Sequence, residues 1–325
     1  MVGAAALALL TAPAAADFAS PVRIGTWNIK QNKRQNQQRH GWPERRAKVL
    51  ETFAAADADL IGIQEQFLPG GCPQGNRGDP LMGYALRDIL EAFPDYAVVQ
   101  KSCAALGGGE PILYRMSRFT LLAQGATKGC GDFHTPRQLN WAKFREVASG
   151  QEILLYNLHL HARSTRQKLA QARVLGCDLA MQMAAPEHAQ VPVAVVGDMN
   201  DPHMGPVMSF LTHEGTGLDG DGLFSEYPLV EVLGPAATHR GGEHLDHIYL
   251  DPRLVGKGGR VPASSIVVPV HGRRENCHSP SVDPEGAPEV AASDHCFAWT
   301  IAHKMTAPRP LEAVPRLQRR SLDPQ

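Results

Sequence analysis

The chain reads as one compact α/β domain with many strands and two principal helical layers. Apolar, β-branched runs of strand character recur along most of its 325 residues, and helix-like stretches separate several of them. Several of those runs also stop at a carboxylate, a carboxamide or an imidazole. The clearest is Val193-Ala194-Val195-Val196-Gly197, followed by Asp198, Met199 and Asn200. On an extended strand end, positions two apart point the same way, so Asp198 and Asn200 are expected to aim at one point. An apolar body with a polar tip describes a buried strand whose C-terminal mouth holds a reactive or binding site.

The elements follow in order. Val22 to Ile29 alternates as a strand, with Asn28 near its end. Lys30 to His40 is a polar loop carrying Lys33, Arg34 and Arg39. Pro43 suits the first position of a helix, to which Ala47, Leu50, Phe53 and Ala54 give an apolar stripe. Leu60 to Glu65 is apolar until its terminal carboxylate, and Gly70 to Asp79 is a Gly/Pro-rich loop in which Arg77-Gly78-Asp79 is a turn. Leu81 to Phe93 reads as helix, and Tyr96 to Gln100, Pro111 to Tyr114 and Phe119 to Ala123 as strands. Asn140 to Val147 and Glu152 to Leu160 form a pair joined at Ala148-Ser149-Gly150. Ser164-Thr165-Arg166-Gln167 is a capping box that opens a helix to about Met183. Beyond Asn200 come a weak helix near Pro206 to Leu211 and strands at Leu245 to Leu250, Ser265 to Val270 and Cys296 to Ile301.

Residues 1–16 are Ala/Leu-rich and end Ala14-Ala15-Ala16, as a signal peptide with an A-x-A cleavage site does, although the usual positive n-region is missing. A catalytic domain is expected over 17–305 and a Pro/Arg-rich, disordered tail over 306–325. The expectation is a secreted or periplasmic, monomeric protein without stable membrane insertion. A formal net charge of -1 argues against a cationic nucleic-acid coat while allowing a local basic cleft. None of the six cysteines forms a CxxC pair, so disulfides are expected rather than a zinc site. Cys277 with Cys296 is the best pair, then Cys72 with Cys103 or Cys130; Cys177, in a helical pattern, is expected to be a buried free thiol.

Six strand ends carry groups that bind metal or move protons: Asn28, Glu65, His159, Asp198 with Asn200, Asp246, and Asp294 with His295. Hard oxygen donors predominate, which suits Mg²⁺ or Mn²⁺ better than Ca²⁺ or Zn²⁺. Two histidines add groups that titrate near neutral pH. A divalent cation with imidazole is a phosphoryl-cleaving set.

Thr26-Trp27-Asn28-Ile29, Gln64-Glu65, Asn157-Leu158-His159, Gly197-Asp198-Met199-Asn200, Leu245-Asp246-His247-Ile248 and Ser293-Asp294-His295 resemble, in that order, the motifs of the endonuclease/exonuclease/phosphatase superfamily. Each motif is weak alone; six in order, from about Val22 to Ile301, are specific. The resemblance implies a four-layered α/β sandwich, two mixed sheets face to face with helices outside. It implies Glu65 as principal metal ligand, assisted by Asn28 and Asp294, and Asp198 with Asn200 as the pair that orients or deprotonates water and holds phosphate. His295 resembles the histidine at the scissile phosphate, oriented by Asp246. His159 resembles the second histidine of the nuclease and sphingomyelinase branches, with Glu110 as its supporting carboxylate.

Other residues carry blander readings. His161 and His247 are expected to be structural, and His203, His239 and His244 carry no assignment. Arg163 and Arg166 read as exposed helix-start residues, and Arg137 as a phosphate contact or a surface ion pair. The function expected is a metal-dependent phosphodiesterase, first a nuclease on DNA or RNA, whose basic rim Arg273 and Arg274 would join. Alternatives are a sphingomyelinase-like phospholipase, a small-molecule phosphatase, and an inactive binding module of the same fold.

Overall fold

A computed structural model of the chain describes residues 17–30, 42–66, 84–99, 110–126, 139–202, 205–207, 211, 229–233, 238–239, 243–255, 265–267, 293 and 295–302. The expected signal peptide, the C-terminal tail and Asp294 therefore lie outside the described residues. In chain order the elements are β1 Val22–Asn28, α1 Trp42–Ala56, β2 Leu60–Gln64, α2 Tyr84–Ala92, β3 Tyr96–Val98, β4 Ile112–Arg115, β5 Phe119–Ala126, β6 Leu139–Glu146, β7 Glu152–His159, α3 Thr165–Ala184, β8 Val193–Asp198, β9 Val230–Glu231, β10 Asp246–Leu250, β11 Ser265–Val267 and β12 Phe297–Ala302.

They form two mixed sheets of six strands, ordered β11-β12-β1-β2-β4-β3 and β5-β6-β7-β8-β10-β9. Each sheet has one parallel pair, β1 with β2 and β7 with β8, and each pair is joined through a helix, α1 or α3. Parallel neighbours require such a crossover, whereas the antiparallel pairs close through turns and loops. Ser164 caps α3, its side chain accepting a hydrogen bond from the Gln167 amide, as the capping box predicts.

Strand alternation decides what each layer contains. Ile24, Leu60, Leu155, Val196, Ile248 and Ala298 meet between the sheets. Their strand neighbours face outward: Trp27, Ile61, Ile63 and Phe297 pack under α1 and α2 with Val49, Phe53 and Ile89. Leu154, Tyr156, Val193, Val195 and Tyr249 pack under α3 with Leu175 and Leu179. Helix, sheet, sheet, helix is the resulting order, the four-layered sandwich that the sequence implied.

The core between the sheets is not wholly apolar. Asn157 on β7 donates through its amide to the carbonyl oxygens of Ile63 (2.8 Å) and Pro111 (2.9 Å), bridging one sheet to the other. Its own oxygen accepts from the Gln64 amide at 2.7 Å. Gly62 makes room for this bridge, since a Cβ there would stand 2.5 Å from the Asn157 oxygen.

Several expectations need correction. Cys177 is in a disulfide rather than a free thiol: it sits half-buried on the side of α3 turned away from the face formed by Ala172, Leu175 and Leu179. Cys296 is also disulfide-bonded, while Cys72, Cys103, Cys130 and Cys277, and with them the expected pairings, lie outside the described residues. The short β9 and a 3₁₀ turn at Pro252–Leu254 had no signal in the sequence, two or three residues being too few to show a period. Among the described residues no helix is long and apolar enough to cross a membrane.

Candidate active site

Parallel and antiparallel pairing together bring the polar strand ends to one edge of the sandwich. β1, β2, β7 and β8 run the same way within their pairs, so Asn28, Gln64, His159 and Asp198 finish at corresponding ends, with Asn28 in register with Gln64 and His159 with Asp198. β10 is antiparallel to β8, which sets its first residue, Asp246, opposite Asp198. β12 is antiparallel to β1, so His295, two residues before it, reaches the same edge. These side chains continue the faces that, deeper in, supply the core between the sheets.

Asp198, only 1% exposed, is the centre of the cluster. Its Oδ2 accepts from the Asn28 amide at 2.9 Å, lies 3.1 Å from Nε2 of His159 and 3.8 Å from Nε2 of His295. Its Oδ1 accepts from the backbone N–H of Asn200 at 2.9 Å. Burial disfavours the ionised form, but the two imidazoles and the bonds from His159 and Asn28 outweigh it and hold this carboxyl well below the usual range. The surroundings thus favour the anionic form of Asp198.

His295 places Nδ1 2.8 Å from Oδ2 of Asp246. The carboxylate fixes the ring's orientation and turns Nε2 toward Asp198. Burial pushes the Asp246 carboxyl upward, with the attraction of His295 acting against it. The backbone around the ring is tied at several points: Trp27 donates its indole N–H to the His295 carbonyl, and the Ser293 hydroxyl donates to the Asn28 carbonyl while accepting from the His295 amide.

Glu110 is fully buried beside His159, its Oε1 3.9 Å from Nδ1 of that ring, and its backbone carbonyl accepts from the Asn140 amide at 2.7 Å. Glu110 thus stands next to the histidine that the resemblance pairs it with.

Two site residues arrive by a route that strand alternation does not describe. β2 stops at Gln64, and Glu65 follows with φ 61°; β8 stops at Asp198, and Asn200 has φ 49°. Left-handed backbone at two non-glycine residues is strain that surrounding structure must hold. The expectation that Asn200 points with Asp198 by strand geometry is therefore incorrect. A turn brings it back, its amide donating to the Leu160 carbonyl at 3.0 Å. Lys168 on α3 secures that turn, bonding the Asn200 carbonyl and lying 3.3 Å from Oδ1 of Asp201. Gly197 lets β8 press against β7, because a Cβ there would collide with the Leu158 carbonyl.

The donor set suits a hard divalent cation. Asn28 and Glu65 lie at the tips of neighbouring strands at this edge, and the Asn28 oxygen, which accepts from the Lys30 amide, keeps a second lone pair. Asp198, Asp246 and His295 also bring ligand atoms within 4.8 Å of one another.

Some residues were missed or read too blandly. His239 comes to 4.8 Å from the His295 ring, bridges it through the backbone and pairs with Glu243 at 2.6 Å; its loop gave no periodic signal. Asn157 and Gln64 stand in the sequence only as members of the motifs, with no role of their own, and Lys168 carries no signal beyond its place in a helix. His161 is structural as expected, its Nδ1 accepting from the amides of Arg163 and Ser164. Arg163 and Arg166 are exposed; Lys33, Arg34, Arg39, Arg137, Arg273, Arg274 and His203 lie outside the described residues.

A buried carboxylate between two imidazoles at the mouth of a two-sheet sandwich defines a hydrolytic site of the phosphoesterase kind. Residues 25–295 match the Endonuclease/Exonuclease/phosphatase family, and the chain belongs to it. Members of this family are hydrolytic phosphoesterases, generally dependent on a divalent metal. Among solved structures, a family protein from Bacteroides thetaiotaomicron is similar at 18% identity and TM-score 0.63, covering 87% of this chain and 97% of its own. A mannosyl-6-phosphatase from the same organism is similar at 17% identity and TM-score 0.62, over 88% of this chain and 100% of its own. The human nocturnin catalytic domain, with bound sulfate, is similar at 18% and 0.55, over 86% and 93%. At such identities the likeness is one of fold. No curated protein matches the chain.

Proposed function

We propose that this protein is a divalent-metal-dependent phosphodiesterase, exported from the cell, with nucleic acid as its substrate. The observation that carries this reading is the convergence of Nε2 of His159 and Nε2 of His295 on one oxygen of the buried Asp198 carboxylate, at 3.1 and 3.8 Å. Phosphodiester hydrolysis needs water oriented and relieved of a proton and another proton delivered to an alkoxide leaving group; a carboxylate serves the first need and a separately held imidazole the second.

In this reading Asp198, with Asn200 beside it, orients the attacking water and accepts its proton. His159, backed by Glu110, protonates the leaving oxygen. His295, held by Asp246, donates to a non-bridging phosphoryl oxygen. Asn28, Glu65 and Asp294 would hold Mg²⁺ or Mn²⁺, and such an ion would supply positive charge against that building on the phosphoryl group. The 2.8 Å bond between His295 and Asp246 leaves no space for an ion between them, which favours the oxygen set over the Asp198–Asp246–His295 cluster as the cation's seat. Exposed Arg163 and Arg166 just beyond His159 give the rim positive charge toward a polyanion. Disulfides at Cys177 and Cys296 support an oxidising compartment.

A second reading, a phosphomonoesterase, draws on the mannosyl-6-phosphatase, whose whole length the chain matches in fold. Plasmid DNA, RNA, sphingomyelin and mannose 6-phosphate, each assayed with Mg²⁺ and with Mn²⁺, separate the two. Cleavage of DNA or RNA, lost with EDTA, is expected. Turnover of mannose 6-phosphate alone would replace the diesterase by the monoesterase, and hydrolysis of sphingomyelin alone would make the substrate a lipid. Four intact substrates would end the catalytic reading.

A further inference from the structure

The face of β10 that turns away from the catalytic edge carries a second cluster. Glu231 on β9, His244 just before β10 and His247 on β10 each bring one ligand atom into a group within 4.8 Å of one another. His244 is 4% and His247 0% exposed, and their rings lie 4.4 Å apart. Oε1 of Glu231 stands 3.8 Å from Nε2 of His244 and 3.6 Å from Nδ1 of His247.

His247 is anchored through its other nitrogen. Nε2 lies 2.9 Å from the backbone carbonyl oxygen of Asp201, which can only accept, so Nε2 donates and the ring turns Nδ1 toward Oε1 of Glu231. That oxygen also accepts from the Leu233 amide at 3.2 Å, which fixes the carboxylate. At 3.6 Å the gap between Nδ1 and Oε1 is longer than a hydrogen bond and suits two groups that share an ion. Bonds of about 2.0–2.2 Å at tetrahedral angles put neighbouring ligand atoms roughly 3.3–3.5 Å apart, close to the separations found. A ring nitrogen held by a backbone carbonyl while the other faces the cluster is also the usual support of a metal-bound histidine.

We propose that Glu231, His244 and His247 form a second metal site, distinct from the catalytic one, that takes a transition ion of the zinc class. Two imidazoles and one carboxylate favour such an ion over Mg²⁺. Its role is structural. β9 pairs with β10 over two residues only, Val230 and Glu231, and the ion clamps that short strand in place. Through His247 it also holds the Asp201 carbonyl, next to the turn that Lys168 bonds and that carries Asn200 to Asp198.

The test is metal content, which does not depend on the reaction or its substrate. The full-length protein is loaded with Zn²⁺, dialysed against excess Mg²⁺ and analysed by plasma mass spectrometry. Wild type is expected to retain about one zinc per chain and to gain thermal stability with added Zn²⁺. Glu231→Gln and His244→Ala should each lose the retained zinc and the thermal shift, whereas His295→Ala should keep both. Should either variant fail to fold, His244→Gln, which keeps the side-chain bulk, takes its place. Wild type that emerges without zinc overturns the proposal, and so does zinc that persists in Glu231→Gln and His244→Ala but leaves with His295→Ala.

Discussion

His159 and Asp198 are register partners across the parallel pair β7–β8, and their side chains close to 3.1 Å. Adjacent parallel strands that end together present their last inward residues side by side, so two motifs separated by a 20-residue helix become one contact. The same pairing keeps the contact rigid, because moving either residue requires a slip in the sheet.

The relation between Asp246 and His295 separates catalysis from stability. Asp246→Asn should lower turnover about 100-fold or more, because the ring loses its charged partner. Burial raises the Asp246 carboxyl in the folded state, so its contribution to stability is present below the unfolded value and lost as pH rises through the folded one. The melting difference between the variant and wild type should therefore move in the variant's favour as pH rises. Steady-state rates and melting curves measured together across pH test this; a slower enzyme whose melting difference does not change with pH would refute the account.

Glu65→Gln removes one negative charge from the proposed cation seat without changing the shape of the side chain. The Mg²⁺ or Mn²⁺ concentration for half-maximal activity should rise at least roughly tenfold, the cost of losing even a supporting group at such sites. Titrating the metal at saturating substrate gives the answer, and an unshifted curve takes Glu65 off the ligand set.

Asn157 holds the two sheets together through Ile63 and Pro111. Asn157→Leu leaves those carbonyls and the Gln64 amide with fewer partners and should cost roughly 1–3 kcal/mol. Gly62→Ala should cost a similar amount, roughly 1–3 kcal/mol, by driving a methyl group into Asn157 and Val196. Urea unfolding monitored by tryptophan fluorescence measures both. A loss below a few tenths of a kcal/mol would show that the bridge contributes little.

Alkaline pH should unfold the protein through its buried tyrosines. Burial pushes Tyr96 up to about 12, and Tyr156 and Tyr249 are raised well above their ordinary value. Unfolded tyrosines ionise near 10. A raised folded value means stability that is complete below about pH 10 and lost as pH climbs from 10 toward 12. Denaturant midpoints between pH 9 and 12 should fall accordingly, and Tyr96→Phe should fall less steeply; parallel slopes would remove Tyr96 from the explanation.

The residues by themselves determined the strands, the main helices and the polar strand ends, and the family resemblance arranged them in four layers around one site. Alternating runs such as Val193 to Asp198 fix which residues face the other sheet and which face a helix, and a polar residue at the inward position of a strand's last pair is legible without any partner in view. Asn28, His159, Asp198, Asp246 and His295 stood out as polar groups at the ends of apolar runs and in the family's motifs, and they are together in the structure. Alternation ends where the strand ends, however, and the chain's course beyond it is a matter of neighbours. The left-handed turns at Glu65 and Asn200, the approach of His239 to His295 and the facing of Glu231 with His244 and His247 all come from strand order and register. Those are long-range pairings that no local period encodes. Cys177 shows the same limit: its helix was visible in the sequence, but not the disulfide on that helix's outer side.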